Sequence, residues 1–202
     1  MSAEVKRCGW AERSRLEQEY HDREWGVPVH EDKRLFKMLM LEGMQAGLSW
    51  STILKKMDTL CPAFDDFDPA ILITYDEEKI EALLQNGGII RNRQKINAAV
   101  QNAKAYFKLC EEFGSLDHYL WSFVGYSPIV NAWSRIEDVP SSSPVSDEIS
   151  RGLKERSFKF VGTTTVYALM QSVGMVNDHL TSCHFYCRKP VESEEYPGKP
   201  FL

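Results

Sequence analysis

Apolar residues recur at helical spacing through most of this 202-residue chain, and no stretch sustains the apolar–polar alternation of a half-buried strand. Residues 33–42 and 92–113 each carry such an apolar stripe, and Gly114 is placed to end the second one. The nearest approach to a strand pattern is VGYSPIV (124–130), which contains a proline. We therefore predict an all-α fold in which short loops join the helices.

Signals at helix ends indicate two more helices in the second half of the chain. Ser146 is placed to cap a helix that runs to about Arg156. Thr163 or Thr164 is the candidate cap of the next helix, which Gly174 closes. The two helices are therefore separated by a turn of only a few residues.

Composition limits the class of protein. Apolar residues make up 43% of the chain, which is enough for a sizeable core and excludes wholesale disorder. The formal net charge is −5, so a nucleic-acid partner would have to meet a local basic patch. No apolar run is long enough to cross a membrane, and the first residues lack the apolar segment of a secretory signal. We expect a cytoplasmic protein without a membrane contact.

Composition also identifies irregular and charged stretches. Residues 137–146 are rich in Pro and Ser and predict a surface loop, and residues 189–202 carry three prolines and predict a loose tail. Basic residues concentrate in 91–108 and 151–159, and acidic residues concentrate in 65–81. Such runs are ordinarily solvated helix faces, but two basic runs on an acidic protein favour a directed patch.

Cysteine and histidine residues form a split set of candidate metal ligands. The five cysteines are an odd number, which argues against a disulfide framework and for reduced thiols or a metal. Two Cys and two His would make a closed tetrahedral site between segments near the start and near the end of the sequence. The candidates are Cys8, His21, His179 and Cys183. The spacing of four between His179 and Cys183 predicts one face of a helix, while Cys187 and His184 remain open as alternative ligands.

Aromatic residues crowd the first quarter of the chain. Trp10, Tyr20, Trp25 and Trp50 fall within 41 residues, and Glu42 stands among apolar neighbours between them. A carboxylate in apolar surroundings needs a donor or a cation, and aromatic faces attract a flat cationic ring. The group is therefore a candidate pocket for such a ring, although the same residues could equally form ordinary core.

Residues 153–174 have the pattern of a helix–hairpin–helix. A helix ends near Arg156, the turn FKFVG (158–162) follows, and the next helix begins at about Thr163. Backbone amides of such a hairpin can face a phosphate without reading sequence, and Lys159 adds a positive charge. An ordinary turn between two helices would give the same pattern.

These motifs occur together in one order along the chain. They are RCGW (7–10), YHDREWGVP (20–28), LEGMQAGLSW (41–50), TILKK (52–56), GIIRNRQKI (88–96), WSFV (121–124), FKFVGTT (158–164) and VNDH (176–179). In this respect the sequence resembles the family of 3-methyladenine DNA glycosylase I, bacterial enzymes of alkylation repair. The resemblance implies a helix–hairpin–helix glycosylase fold in which a structural zinc ion ties the N- and C-terminal segments together.

The resemblance also implies roles for particular residues. It places the zinc ligands at Cys8, His21, His179 and Cys183, which leaves Cys187 and His184 outside the pattern. It implies a base pocket built from Trp10, Tyr20, Glu42 and Trp50, in which Glu42 and Tyr20 are the catalytic candidates. It implies that the segment at Gly47 and Leu48 enters the duplex. The DNA-binding hairpin would comprise Lys159, Phe160, Val161, Gly162 and Thr163.

The activity implied by the resemblance is hydrolysis of the glycosidic bond of 3-methyladenine in alkylated duplex DNA, after base flipping and without strand cleavage. We expect a monomer with no evident protein partner, in which residues 1–190 form a single helical domain, or two small lobes, and residues 191–202 the tail. A zinc-stapled helical module that binds DNA without catalysis is the alternative. Ser157 stands where the family usually has glycine, and the segment between Trp10 and Tyr20 is unusually charged.

Overall fold

The computed structural model describes residues 5–187, and helices dominate it. The α-helices are α1 (Arg15–Arg23), α2 (Asp32–Gln45), α3 (Trp50–Ala63), α4 (Pro69–Leu72), α5 (Glu77–Gln85), α6 (Arg93–Phe113), α7 (Leu116–Ser122), α8 (Pro144–Glu155) and α9 (Thr163–Ser172). Short 3-10 turns occupy Gly9–Arg13, Asp65–Phe67 and Ile136–Asp138. The predicted all-α character is confirmed, and both stripes found in the sequence lie on helices, α2 and α6.

Polar caps start most of the helices that shape the site. Ser14 accepts a hydrogen bond from Glu17 N at the start of α1, and Ser49 accepts one from Thr52 N at the start of α3. Helix α6 starts at the cap Asn92 and ends at Gly114, whose φ of +88° suits a residue without a side chain. These local signals fix where the long helices begin and end.

The starts of α8 and α9 differ from the predictions. Helix α8 is capped by Ser143, three residues before Ser146, because the two serines form a reciprocal capping box with Pro144 as the first helical residue. Helix α9 begins at Thr163, but its cap is Gly162, which offers no side-chain acceptor. The first amides of α9 are therefore not capped by a side chain.

Helix α2 lies at the centre of the described core. It packs against α3, α6, α7 and α9, and its buried residues include Phe36 and Leu39. Trp121 of α7 is fully buried, and its indole Nε1 donates to Val29 O at 2.9 Å. Because α2 carries Glu42 near its C-terminal end, this packing fixes that carboxylate within the interior.

A minimal parallel pair interrupts the helical pattern. Strand β1 (Ile129–Val130) lies in the VGYSPIV stretch and pairs with β2 (Val176–Asn177). Asn131 N continues the ladder to Asn177 O at 3.2 Å. The pair attaches the segment after α7 to the segment after α9.

Charged runs of opposite sign meet along the first half of the chain. Arg93 of the basic run pairs with Glu77 and Glu81 of the acidic stretch. The same stretch engages α2, where Lys33 lies 2.7 Å from Asp68. Part of the predicted basic patch is thus neutralised internally. No helix among the described residues is long and apolar enough to span a membrane.

Candidate active site and metal-binding cluster

A cavity of about 350 Å³ opens among the first three helices, α9 and the loop before α8. It is lined by Trp10, Tyr20, Trp25, Glu42, Gln45, Trp50, Ile136, Val139, Pro140, Ser141, Ala168, Gln171 and Asp178. The structure therefore brings together all four residues that the sequence proposed for the base pocket. Its volume lies within the ordinary range for small-ligand sites.

Three aromatic residues reach the cavity from consecutive elements. Trp10 belongs to the 3-10 turn before α1, Tyr20 to α1, and Trp50 is the first residue of α3. The ring centroids of Tyr20 and Trp50 lie 5.1 Å apart, and those of Trp10 and Tyr20 lie 6.3 Å apart. Trp50 Nε1 is buried without a hydrogen-bond partner among the described residues. Such an unsatisfied donor is costly unless a ligand or water accepts from it.

Glu42 is the buried carboxylate of this cavity, with 4% of its surface exposed. Burial raises the pKa of Glu42 to about 8, and a hydrogen bond with Ser172 acts in the opposite direction. Burial, together with the negative charges of Glu42 and Glu24, also raises the pKa of Tyr20 well above its ordinary value. The free site therefore holds both groups largely protonated at neutral pH, and a bound cation would favour the Glu42 carboxylate.

The cavity includes one side that the sequence did not reveal. Residues 136–141, which we name the wall segment, contribute Ile136, Val139, Pro140 and Ser141 to the lining. All of them except Ile136 lie in the stretch 137–146 that composition predicted to be a surface loop. That prediction is wrong for residues 144–146, which open α8, and incomplete for the wall segment. A proline- and serine-rich composition gives no signal for a pocket wall.

The turn between α2 and α3 projects from the same region. Gly47 adopts φ +77°, and the Leu48 side chain is 39% exposed. Leu48 N donates to Gln45 O at 2.7 Å, which tightens the turn. Gly47 and Leu48, which the resemblance places in the segment that enters the duplex, thus lie on a hydrogen-bonded turn.

Lys95 of α6 holds the start of that turn by hydrogen bonds to its backbone. Its Nζ donates to Met44 O at 2.8 Å and to Ala46 O at 2.7 Å. The side chain is buried, and burial lowers its pKa. Sequence analysis missed this residue, because the carbonyls it binds are about 50 residues away.

The hairpin between α8 and α9 is as tight as predicted. Ser157 N donates to Lys154 O and Phe158 N to Leu153 O, the paired bonds of a Schellman ending. Ser157 has φ +70°, which is the conformation that favours glycine. Lys159 is exposed, whereas Phe158 is buried beneath the turn.

Asn102 of α6 clamps the hairpin to the core. Its amide donates to Lys159 O at 3.0 Å and accepts from Lys159 N at 2.7 Å. Thr163 Oγ1 lies 2.8 Å from the Ser146 hydroxyl of α8. The buried residues Asn102 and Ser146 therefore hold the hairpin at Lys159 and Thr163. The Lys159 side chain itself faces outward.

The four predicted metal ligands converge although they come from distant parts of the chain. The ligand atoms of Cys8, His21, His179 and Cys183 all lie within 4.8 Å of one another, and all four residues are buried. The Cys183 Sγ lies 3.6 Å from both His21 Nε2 and His179 Nδ1. A tetrahedral ion with ligand bonds of about 2.0–2.3 Å sets its donors roughly 3.5 Å apart, so the cluster fits a metal ion.

Neighbouring groups orient the two imidazoles. His21 Nδ1 lies 2.9 Å from the Asp22 carboxylate, which leaves Nε2 directed at the cluster. Arg7 donates to both oxygens of Asp22. Burial opposes ionisation of Asp22, but the hydrogen bonds from Arg7 and His21 outweigh it, and the pKa of Asp22 lies below its ordinary value. A carboxylate behind a histidine is a common support of metal sites.

The expected helix through His179 and Cys183 is absent. Residues 181–187 form turns, because Leu180 N donates to Cys8 Sγ at 3.4 Å and Thr181 N to Trp133 O at 2.8 Å. These bonds replace the helical ladder and still aim both ligands at one point. Cys187 is exposed and His184 is not part of the cluster, so the geometry selects between the alternatives left open by the spacing. The predicted tail (191–202) lies outside the described residues.

The charged segment before Tyr20 is accommodated within α1. Glu17 is 6% exposed and accepts a 2.7 Å hydrogen bond from the Ser14 hydroxyl. Arg15 and Glu19 form an ion pair one helical turn apart on the outside of α1. The departure from the family pattern thus leaves Tyr20 in the cavity.

Comparisons with known proteins agree with this arrangement. A model of the methyladenine glycosylase family matches residues 10–187. The DNA-3-methyladenine glycosylase 1 of Escherichia coli (strain K12) is 45% identical over 182 residues, which cover 90% of this chain and 97% of that protein. The fold, the cavity and these relatives define a glycosylase that acts on N-glycosyl bonds.

Solved structures extend the agreement to three dimensions. The 3-methyladenine DNA glycosylase I of Staphylococcus aureus superposes with a TM-score of 0.87 at 33% identity, covering 91% of this chain and 97% of that one. A point variant of 3-methyladenine DNA glycosylase I in complex with 3-methyladenine gives a TM-score of 0.85 at 33% identity, covering 88% and 96%. The chain belongs to the methyladenine glycosylase family, and the predicted family and fold class are confirmed.

Proposed function

We propose that this protein excises 3-methyladenine from alkylated duplex DNA by hydrolysing the N-glycosidic bond of a flipped nucleotide. The observation that carries the proposal is a buried carboxylate, Glu42, in a cavity lined with indole and phenol rings. The names of the relatives, and the 3-methyladenine bound to one of them, identify the base. A base within a duplex cannot reach such a cavity, so it must leave the stack first.

Charge distinguishes the damaged base from its normal counterpart. Adenine methylated at N3 is cationic while it is attached to deoxyribose, whereas normal adenine is neutral. Trp10 and Trp50 would face the ring and gain a cation–π attraction of about 0.5–2 kcal/mol each. Glu42 would accept a hydrogen bond from the adenine edge, and Tyr20 would supply a second polar contact. Normal adenine gains less from each of these groups.

The chemistry requires little acid catalysis, because a cationic purine is already a good leaving group. The glycosidic bond breaks with its electron pair moving to the base, the sugar develops oxocarbenium character, and water adds to the sugar carbon. We assign no lysine as a Schiff-base nucleophile. The enzyme is therefore expected to be monofunctional and to leave the DNA strand intact.

The protruding turn and the hairpin would hold the DNA. Leu48, on the Gly47 turn, would fill the space that the flipped base leaves. The backbone amides from Phe160 to Thr163 would face phosphates, and the Lys159 ammonium would add attraction. The uncapped start of α9 suits this role, because its amides have no side-chain acceptor.

We assign zinc to the Cys8, His21, His179 and Cys183 cluster, because two thiolates and two imidazoles form a closed structural zinc site. Bound there, zinc supplies folding energy and no reaction chemistry. The cluster lacks the open position that a zinc hydrolase needs. We further propose that the chain acts as a monomer and a single glycosylase domain in the cytoplasm, where thiols stay reduced.

The decisive experiment measures base release from alkylated duplex DNA by chromatography. Glu42→Gln keeps the side-chain size but removes the charge, and we expect excision to fall at least 100-fold with unchanged far-UV circular dichroism. Glu78→Gln makes the same chemical change at an exposed site on α5 and should retain full activity. DNA binding by the wild type without release of 3-methyladenine would instead favour the non-catalytic DNA-binding module.

A further inference from the structure

Asp178 is a buried acid at the edge of the cavity, with 2% of its surface exposed. Its Oδ1 accepts from Asn131 Nδ2 and from Trp133 Nε1, both at 2.7 Å. Its Oδ2 accepts from the Tyr167 hydroxyl at 2.7 Å and from Gln171 Nε2 at 2.8 Å. All four donors are uncharged, so hydrogen bonds alone offset the cost of burying this carboxylate.

The hydrogen bonds also decide what Asp178 can do. A carboxylate has about four lone-pair sites, and the four donors occupy that number. No site is left to accept a proton from an attacking water. Asp178 is therefore suited to hold its neighbours in place and unsuited to act as a general base.

The two oxygens of Asp178 serve different parts of the cavity. The Oδ1 side holds Asn131 and Trp133, which lead directly into the wall segment. The Oδ2 side holds Tyr167 and Gln171 of α9, and Gln171 itself lines the cavity. Asp178 thus links the residues that lead into the wall segment to α9, which also lines the cavity.

The wall segment has few other anchors. Ile136 is 45% exposed, and the ion pair between Arg135 and Asp138 is local to the turn. Beyond the wall, the chain is fixed again by the capping box at Ser143. Between the two anchor points the backbone hydrogen bonds are also local, such as the one from Val139 N to Ile136 O at 3.2 Å. The position of the wall therefore depends on Asn131 and Trp133. Backbone bonds hold their main chains, from Asn131 N to Asn177 O at 3.2 Å and from Thr181 N to Trp133 O at 2.8 Å, while Asp178 holds their side chains.

We propose that Asp178 is a positioning residue that holds the wall segment over the base pocket and thereby sets the affinity for the flipped base. The inference rests on the proposed function for the identity of the ligand. Its structural part, the attachment of the wall, does not depend on catalysis. The two parts can therefore be tested separately.

The first test uses hydrogen–deuterium exchange of the free protein. Asp178→Ala removes both acceptor oxygens, so all four hydrogen bonds are lost. We expect the amides of Asp138 and Val139 to exchange at least fivefold faster than in the wild type. Trp133→Phe removes one Oδ1 donor, leaves residues 176–183 unaltered and should accelerate the same amides.

Tyr167→Phe is the matched control, because it removes a donor from the opposite oxygen. Exchange in the wall segment should stay within twofold of the wild type in this variant. Wild-type exchange in both Asp178→Ala and Trp133→Phe would overturn the attachment. These measurements use no DNA, so they are informative even if the proposed function fails.

The second test measures ligand affinity and rate. Free 3-methyladenine should bind Trp133→Phe at least fivefold more weakly, by calorimetry, while single-turnover cleavage at saturating alkylated DNA stays within threefold of the wild type. A parallel loss of base affinity and cleavage rate would indicate a general structural defect, and unchanged values of both would show that the wall has no effect. Either result would contradict the positioning role. If wild-type protein binds the base but excises nothing, the proposed function fails while the wall assignment stands.

Discussion

Individual buried charges set the chemistry of this site. Glu42 and Asp178 are both acids within the cavity lining, but their surroundings differ. Asp178 receives four hydrogen bonds, whereas burial dominates at Glu42 and raises its pKa to about 8. The Asp178 carboxylate is thus committed to neighbouring side chains, whereas the Glu42 carboxyl group remains available to a ligand. This difference in solvation explains how two like residues can serve separate purposes in one cavity.

The Glu42 pKa predicts a pH dependence with a definite sign. The free enzyme holds Glu42 protonated below about pH 8, and a cationic base needs the carboxylate. We therefore expect kcat/KM for alkylated DNA to rise between pH 6.5 and pH 8, by up to about tenfold per pH unit, and then to level off. The residual activity of Glu42→Gln should not show this rise. A wild-type profile that is flat over the range would contradict the prediction.

The same shift affects folding. Because the pKa of Glu42 is higher in the folded state than its ordinary value of 4.5, the folded protein retains a proton that the unfolded chain loses. This group therefore lowers stability progressively as pH rises from about 4.5 to about 8. A bound cation that ionises Glu42 would offset that loss.

At the scale of elements, helix α6 positions two features that would contact DNA. Lys95 holds the turn after α2, and Asn102, two helical turns further along, holds the hairpin. One continuous helix therefore supports both the turn that carries Leu48 and the hairpin that carries Lys159. Rigid support of this kind is what keeps a loop-borne binding group in register.

Removing the Lys95 ammonium should loosen the turn without damaging the base pocket. In Lys95→Met, the carbonyls of Met44 and Ala46 lose their donor, while burial of an apolar side chain is favourable. We expect KM for alkylated DNA to rise about fivefold or more, and the affinity for free 3-methyladenine to stay within twofold. Lys104→Met, at an exposed site on the same helix, should change neither value. Equal KM values for the two variants would argue against a role for Lys95.

The hairpin contains a correctable strain. Ser157 occupies a left-handed position, φ +70°, at the end of α8, where glycine avoids the steric cost. We expect Ser157→Gly to stabilise the fold by about 1 kcal/mol, which corresponds to a Tm increase of roughly 2–4 °C for a chain of this size. Ser134→Gly, at an exposed position without a positive φ, should not raise Tm. A lower Tm in Ser157→Gly would contradict the assignment.

Features of the fold that depend on neighbouring residues could be predicted from the sequence better than features that depend on distant contacts. The helices α2 and α6 follow from periodicity, and the tight hairpin follows from its local pattern. The cap of α8 was misplaced because Ser143 and Ser146 are both acceptable caps and the capping box uses both. A local sequence pattern cannot tell which of two serines three residues apart is the N-cap of the helix.

Longer-range features escaped local reasoning. The contacts of Lys95 and Asn102 join residues about 50 positions apart, and periodicity reports which face is buried without saying which polar group it meets. The wall segment was missed because it has no apolar stripe and is fixed through Asp178. Residue chemistry alone gave the metal ligands and pocket residues only as candidates among alternatives, and the resemblance of the whole motif pattern to a family selected among them.

At the scale of the whole molecule, the Cys/His cluster would act as a cross-link once it holds the proposed zinc ion. It joins Cys8 to His179, which are 171 residues apart in the chain. In the chain-entropy model, closing a loop of that length restricts the unfolded state by roughly 5 kcal/mol. The segments it joins also bear the 3-10 turn with Trp10 and the residues around Asp178. The cluster therefore holds together two segments that contribute to the cavity lining.

Removal of the metal should lower stability substantially. We expect a strong chelator to reduce Tm by roughly 10–20 °C, given the cross-link estimate and the heat-unfolding scale for a chain of this size. Elemental analysis should find about one zinc per chain in the wild type and a loss of zinc in Cys183→Ser. Cys187→Ser changes an exposed thiol outside the cluster and should keep both zinc and Tm. Full thermal stability after complete demetallation would refute the structural role.

The distance between the ligands along the chain also has a consequence for biosynthesis. A ribosome delivers Cys8 and His21 early, but the cluster cannot close until His179 and Cys183 have left the exit tunnel. During most of translation the two early ligands therefore wait without their partners, exposed to oxidants and to competing metals. Capture of the proposed zinc ion would therefore be among the last events in the maturation of each molecule, and cells short of zinc should accumulate finished chains in which the two ends remain unjoined.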